Sequence, residues 1–293
     1  MNSKGNGLAL PLLAVLGAML GFQIGAALAK GLFSAVGPEG AAALRILVAA
    51  LLLLVILRPW RSWPATPDWR ALIGLGVCSA LAILMFYMAI ARLPQGLAIA
   101  LQFFGPLGVA IVGSRKAIDW VWAGLALIGV WALLAGRLTG ASLDPWGVVF
   151  AFGAAAGWAG YIVFGRATSL VFGRATPALA TAIAAVIVLP VGVLHAGAAL
   201  LNLSLAPLVL LVAVFSTALP FCLELYAMPR MPTRTFGVLM SLEPAFGATS
   251  GFLILHEALS PAQLAGIVAV ILAAAGASWG AAGETPPALP IEP

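Results

Sequence analysis

The chain is predicted to be an all-α membrane protein: ten transmembrane helices arranged as two inverted five-helix repeats, with both termini cytoplasmic. Three observations carry this expectation. Hydrophobic residues make up 63% of the 293 and charged residues only 8%, against roughly a quarter charged in a soluble domain, so the chain cannot clothe itself in a water-facing surface. The apolar residues fall into ten runs, each near the roughly 20 residues a helix needs to cross about 30 Å of hydrocarbon. Finally, the chain contains itself twice at an offset of 138, with Arg92, Pro94, Pro106 and Asp119 matched by Arg230, Pro232, Pro244 and Glu257. Five spans per half is an odd number, so the second copy is inserted upside down. Inverted repeats are a signature of transporters, with the substrate site expected near the midplane where the halves meet.

In chain order, a short polar lead with Lys4 precedes the first run, from Leu8 to about Phe33. That run is far longer than the roughly 7–15 residues of a signal-peptide core and is expected to be a retained span. The second, Ala41 to Leu57, ends in RPWRSWPATPDWR, whose arginines and tryptophans suit a membrane interface. Further runs follow at 71–91, 95–114, 119–136, 146–164, 177–197, 207–228, 235–255 and 262–281. The first repeat is thus 8–136 and the second 146–281, and the proline-rich 282–293 is expected to be a disordered cytoplasmic tail. Of the 14 Lys and Arg, Lys30 and Arg45 lie within spans. Lys4, Arg58, Arg61, Arg70, Arg115, Lys116, Arg166, Arg174, Arg230 and Arg234 fall on one side and only Arg92 and Arg137 on the other, a positive-inside bias that puts both termini in the cytoplasm.

The same composition excludes other classes. The net charge of +5 is a topology signal rather than a nucleic-acid footprint, because the basic residues sit in short loops and not on one face. Cys78 and Cys222 lie inside apolar runs without metal-ligand spacing and read as small hydrophobes. A phosphate-binding glycine loop, an HExxH pair and a nucleophile flanked by His and carboxylate are all missing from the sequence, so no enzyme, metal or cofactor is expected. His195 and His256 fall at span ends as interfacial residues. Without a nucleotide site, uphill transport must be driven by an ion gradient or by exchange.

Charged and polar groups inside spans are the candidate functional residues, since they are expensive there unless they face a cavity, a partner or a proton. Glu243 lies nine residues beyond Arg234, about 13 Å into the membrane, and Pro244 weakens the helix at the same place. Its alternative is a neutral carboxyl that locks helices together. Glu224 lies six residues before Arg230, about 9 Å from the cytoplasmic end. It shares a face with Thr217 and Pro220, and its alternative is a salt bridge to Arg230 or Arg234. Gln23 and Lys30 are two turns apart on one face, with Lys30 near the outer end, where it could instead snorkel. Arg45 sits a turn or two inside the second span and could alternatively partner a helix end. Gln102 and Pro106 share a face of the fourth span, and Tyr87, Phe103, Phe104, Trp158 and Tyr161 supply aromatic surface that is ordinarily packing.

The second-half string SLEPAFGATSGFLILHEALSPAQLAGIVAVILAAAGA and the ten-span repeat resemble the EamA-type branch of the drug/metabolite transporter superfamily. More narrowly, GAALAKGLF at Gly25 to Phe33, ALR at Ala43 to Arg45, FGPL at Phe104 to Leu107, STALP at Ser216 to Pro220, Leu223-Glu224 and RMPTRTFGVLMSLEPA at Arg230 to Ala245 are similar to its exporters of the threonine/homoserine class. The departures are mainly in the tail and the 165–176 loop. The resemblance implies a bacterial inner-membrane transporter that expels small amino acids against inward proton movement. A zwitterionic substrate needs an acceptor for its ammonium, from Glu243 or Glu224, and donors for its carboxylate, from Gln23, Gln102, Lys30 or Arg45. Protons would couple through Glu243, expected to matter more, or Glu224, while Pro106, Pro220 and Pro244 are the expected hinges. Export or uptake of another metabolite or drug, and a non-transporting membrane scaffold, remain the alternatives, and the oligomeric state stays open.

Overall fold

A computed structural model describes residues 6–93, 95–112, 117–135, 144–240, 242–243, 245–246 and 261–282. Lys4, Pro94, Arg115, Lys116, Arg137, Pro244, His256, Glu257 and the tail beyond 282 lie outside the described residues. Those described are all-helical: α1 Asn6–Leu57, α2 Trp69–Ile90, α3 Gln95–Gln102, α4 Phe104–Val112, α5 Ala117–Ala135, α6 Pro145–Phe172, α7 Thr176–Ala196, α8 Ala206–Ala213, α9 Leu219–Ala227, α10 Thr233–Met240 and α11 Pro261–Ala282. Five stretches among them are long and apolar enough to cross a membrane, namely Ala9–Ala26, Leu28–Arg61, Trp69–Ile90, Pro145–Leu201 and Leu203–Arg230, with shorter apolar helices at Ala117–Ala132 and Leu264–Ala273. This is a multi-pass membrane protein.

Local chemistry explains where the helices begin and break. Asp68 caps α2, its Oδ1 accepting from the Ala71 amide at 3.1 Å. Asp144 does the same for α6 through the Trp146 amide at 2.9 Å, with Pro145 pre-set for the first helical position. The two expected spans within α1 are divided at Gly37, whose φ of 69° and ψ of 173° suit a residue without a Cβ. The fourth span is split at Phe103 into α3 and α4, because Pro106 has no amide to donate and its ring crowds the carbonyl of Gln102 four residues back.

Two elements differ from expectation. Residues 165–172 continue α6 where a loop over 165–176 is expected, because Arg166 is half-buried there and bonded to the main chain. Its guanidinium donates to the main-chain carbonyls of Met228 and Met231, and Thr168 and Ser169 are buried. The eighth span is not one regular helix either: a π-helical turn, Val214–Ala218, separates α8 from α9. This turn abuts α1 so closely that a Cβ on Gly25 would collide with the Ser216 backbone.

The helices pack in reciprocal pairs. α2 lies along α6, while α8, the π turn and α9 lie along α1. α1 also packs on α7, α4 on α10, and α5 on α11. In the order of the ten spans expected from the sequence, this would be third on sixth and eighth on first, then second on seventh, fourth on ninth and fifth on tenth. The small residues allow it: Gly129 of α5 meets the Gly266 backbone and Val270 of α11, the close approach that drives helix association in lipid.

Candidate functional site

Polar residues far apart in the chain converge on one cavity between these pairs. Gln23 and Arg45 reach it from the two segments of α1, Tyr87 from α2, Gln102 from the end of α3, Trp158 from α6, and Glu243 from just beyond α10. Phe22, Ala26, Ala82, Ile83, Phe86 and Ile99 complete its apolar walls. The cavity volume is about 40 Å³, room for a few waters at about 10–15 Å³ each.

Arg45 is 6% exposed. Its Nη1 donates to the Tyr87 hydroxyl at 2.9 Å, and its guanidinium lies over the same ring, 4.7 Å from the centroid. The Tyr87 ring is itself held between Phe33 and Phe86, at 5.5 and 6.3 Å. The cation is therefore fixed by stacking and one hydrogen bond, while its Nε is buried without a partner. Across the cavity the Gln23 amide donates to the Glu243 main-chain carbonyl at 3.4 Å. Gln102 is buried with its Oε1 unpartnered. Buried polar atoms are rarely left without partners, and these two border a space where a polar ligand would supply them.

Other predicted site residues are placed elsewhere. Lys30 is exposed and does not line the cavity. Tyr161 and Glu224 are fully buried but do not line the cavity. The alternative salt bridge from Glu224 to Arg230 is absent. Arg230 instead donates to the Tyr226 carbonyl at 2.6 Å and stacks on that ring at 3.8 Å. Of the expected hinges, Pro106 and Pro220 are buried, Pro106 at the α3/α4 break and Pro220 directly after the π turn. Phe22, Ala26, Ala82, Ile83, Phe86 and Ile99 line the cavity although the sequence does not single them out. Only Phe22 and Phe86 carry a usable signal, each being adjacent in the chain to a candidate residue.

The pattern of the EamA-like transporter family matches residues 145–279. The threonine/homoserine exporter RhtA of Escherichia coli strain K12 is 44% identical over 269 residues, covering 92% of this chain and 91% of that protein. Its namesake in Salmonella typhimurium strain LT2 is 43% identical over the same shares. A solved crystal structure that is 19% identical aligns with a TM-score of 0.71 over 92% of this chain and 97% of that one, a likeness of fold. With a full-length match of this strength around a helix-lined polar cavity, the chain belongs to the EamA-like transporter family.

Proposed function

We propose that this protein exports small amino acids of the threonine/homoserine class from the bacterial cytoplasm, by alternating access coupled to inward proton movement. The single observation that carries the reading is the convergence of a fixed cation, Arg45, two amides, Gln23 and Gln102, and a carboxyl, Glu243, on one cavity. An amino acid has the complementary charges. Its carboxylate fits the free guanidinium edge of Arg45, and its ammonium fits Glu243, with the amides able to serve either end. Among the described residues no carboxylate forms a salt bridge with Arg45, so that charge is left for a ligand. The apolar wall of Ala26, Ala82 and Ile83 suits a short side chain.

The reciprocal packing of third span on sixth and eighth on first supports a ten-span arrangement of two inverted halves, 8–136 and 146–281, while the excess of basic residues on one side supports cytoplasmic termini and the family resemblance an inner-membrane location. At about 40 Å³ the cavity is too small for an amino acid, which fits a closed intermediate whose halves must part to load. The breaks at Phe103 and at the π turn lie where such parting would bend the helices, and the carboxyls Glu243 and Glu224 are available for coupling. The reading is tested by efflux of labelled threonine, homoserine, unrelated amino acids, sugars and drugs from proteoliposomes. Threonine and homoserine should be preferred, and export of sugars or drugs alone would refute it.

A further inference from the structure

Glu224 is 0% exposed, and neither of its carboxyl oxygens has a hydrogen-bond partner. It is not a wall of the cavity. Four rings in mutual contact include two that line the cavity and two that do not. Phe22 meets Trp158 edge-on at 5.7 Å, Trp158 meets Tyr161 at 5.0 Å, Tyr161 meets Phe221 at 5.2 Å, and Phe221 returns to Phe22 at 6.4 Å. Phe22 and Trp158 face the cavity. Tyr161, which does not line the cavity, is near enough to Glu224 for hydroxyl and carboxyl to interact, although the pair does not meet hydrogen-bond geometry in this arrangement.

We infer that Glu224 is a proton-holding site separate from the substrate cavity, and that the four-ring cluster is the partition between the two. This rests on the transport reading above and divides its labour: Glu243 meets the substrate, and Glu224 carries the proton. An ionised carboxylate without partners in so dry a place is very costly, so the closed arrangement is one in which Glu224 holds a proton on a carboxyl oxygen. The Tyr161 hydroxyl can accept from that acid or donate to its anion, which suits a group that cycles between the two forms. Among the described residues, the titratable groups acting on Glu224 are Tyr161 of α6 and Glu243. α1 and α7 pack on the same helix, and the titratable groups they carry, Lys30, Glu39 and Arg45 of α1 and His195 of α7, are not among those acting on Glu224. The proton taken up from one side is released to the other as substrate leaves in the opposite direction, so no further reactant is needed, and each cycle carries one positive charge inward against a net-neutral zwitterion. The helix also has a means of moving the carboxyl. Closing the π turn into regular α-helix, which removes its one extra residue, would rotate α9, and Glu224 with it, by about 100°.

The test uses the purified protein in proteoliposomes with labelled threonine, measured in two modes: counterflow exchange at equal pH, and accumulation under a gradient of one pH unit, which can support about tenfold concentration per proton. Glu224→Gln should retain exchange and lose accumulation. Tyr161→Phe should keep coupled transport with its pH midpoint displaced. Accumulation by Glu224→Gln, its loss of exchange while folded, or drive by sodium rather than by pH would each overturn the inference. Should Glu224→Gln misfold, the Tyr161→Phe profile decides, and an undisplaced midpoint rejects the site. Absence of threonine and homoserine exchange in the wild type would instead overturn the transport reading itself.

Discussion

Glu243 and Glu224 are the same side chain in two different settings. Glu243 borders a cavity, half-buried, with its main-chain carbonyl held by Gln23. Glu224 is fully buried away from the cavity lining, beside Tyr161 of the four-ring cluster, with no hydrogen-bond partner on either oxygen in this arrangement. A carboxyl beside a cavity can bind what enters. One shut away from it can only exchange something as small as a proton. The difference teaches that depth in the membrane does not by itself assign a role, and that the nearest opening does.

The largest effect that would break this comparison is at the opposite pole of the cavity. Arg45→Gln removes the cation expected to hold the substrate carboxylate, and hydrogen bonds to charged groups are worth about 1.5–3 kcal/mol. The apparent KM for threonine should therefore rise about 10- to 100-fold, while vesicle pH gradients leave the residual transport coupled. Unchanged KM in Arg45→Gln would detach the cavity from substrate binding.

Next in size is the packing that holds the helix of Glu224 in register. Gly25→Val must push the π turn away from α1, and overfilling a close-packed contact costs about 1–3 kcal/mol. A lowered unfolding temperature in detergent, together with weakened coupling, is the expected outcome. Normal stability would mean that α1 and the π turn move apart readily.

The fold was largely legible because the bilayer imposes it: apolar runs of the required length, punctuated by arginines and prolines, leave little choice. The Gly37 break was signalled by the Gly37-Pro38-Glu39 punctuation between two runs. The π turn was not, since Val214–Ala218 is an ordinary apolar stretch whose register is decided by contact with Gly21 and Gly25 of another helix. Arg166 misled for a related reason. A basic residue after an apolar run reads as a loop, yet here it reaches a carbonyl 62 residues downstream. In the site, single polar residues stood out, but their grouping did not. Arg45 and Tyr87 are 42 residues apart, and nothing local shows that one stacks on the other or that Glu243 lines the cavity while Glu224 does not.

A smaller effect sharpens the account of Arg45. Tyr87→Phe keeps the ring beneath the guanidinium and removes only the hydroxyl that accepts from it at 2.9 Å. A rise in KM of a few-fold is expected, in line with about 0.5–1.5 kcal/mol for one hydrogen bond. A loss as large as in Arg45→Gln would show that the hydroxyl itself contacts substrate.

The smallest effect concerns the end of the bundle where Arg92 pairs with Asp144 at 3.1 Å. Hydrogen bonding from Arg92 holds the Asp144 carboxyl below its ordinary 3.8. Its stabilisation is therefore present above that value and lost as pH falls through the lowered one. The pair is largely in contact with solvent, so thermal unfolding of the wild type and Asp144→Asn should differ only slightly at neutral pH and converge in acid. Divergence in acid would show that another group dominates there.

The most direct test of the central claim, that the cavity of Gln23, Arg45, Gln102 and Glu243 holds the exported amino acid, is substrate protection of a single cysteine in its wall. With Cys78 and Cys222 replaced by alanine, Ala26→Cys is placed beside the polar groups, and its modification by a small thiol reagent is measured with and without threonine. Threonine should slow labelling in a saturable way, and Arg45→Gln should shift that protection to higher concentration. Labelling at the same rate at every threonine concentration, in a protein that still transports it, would contradict the account.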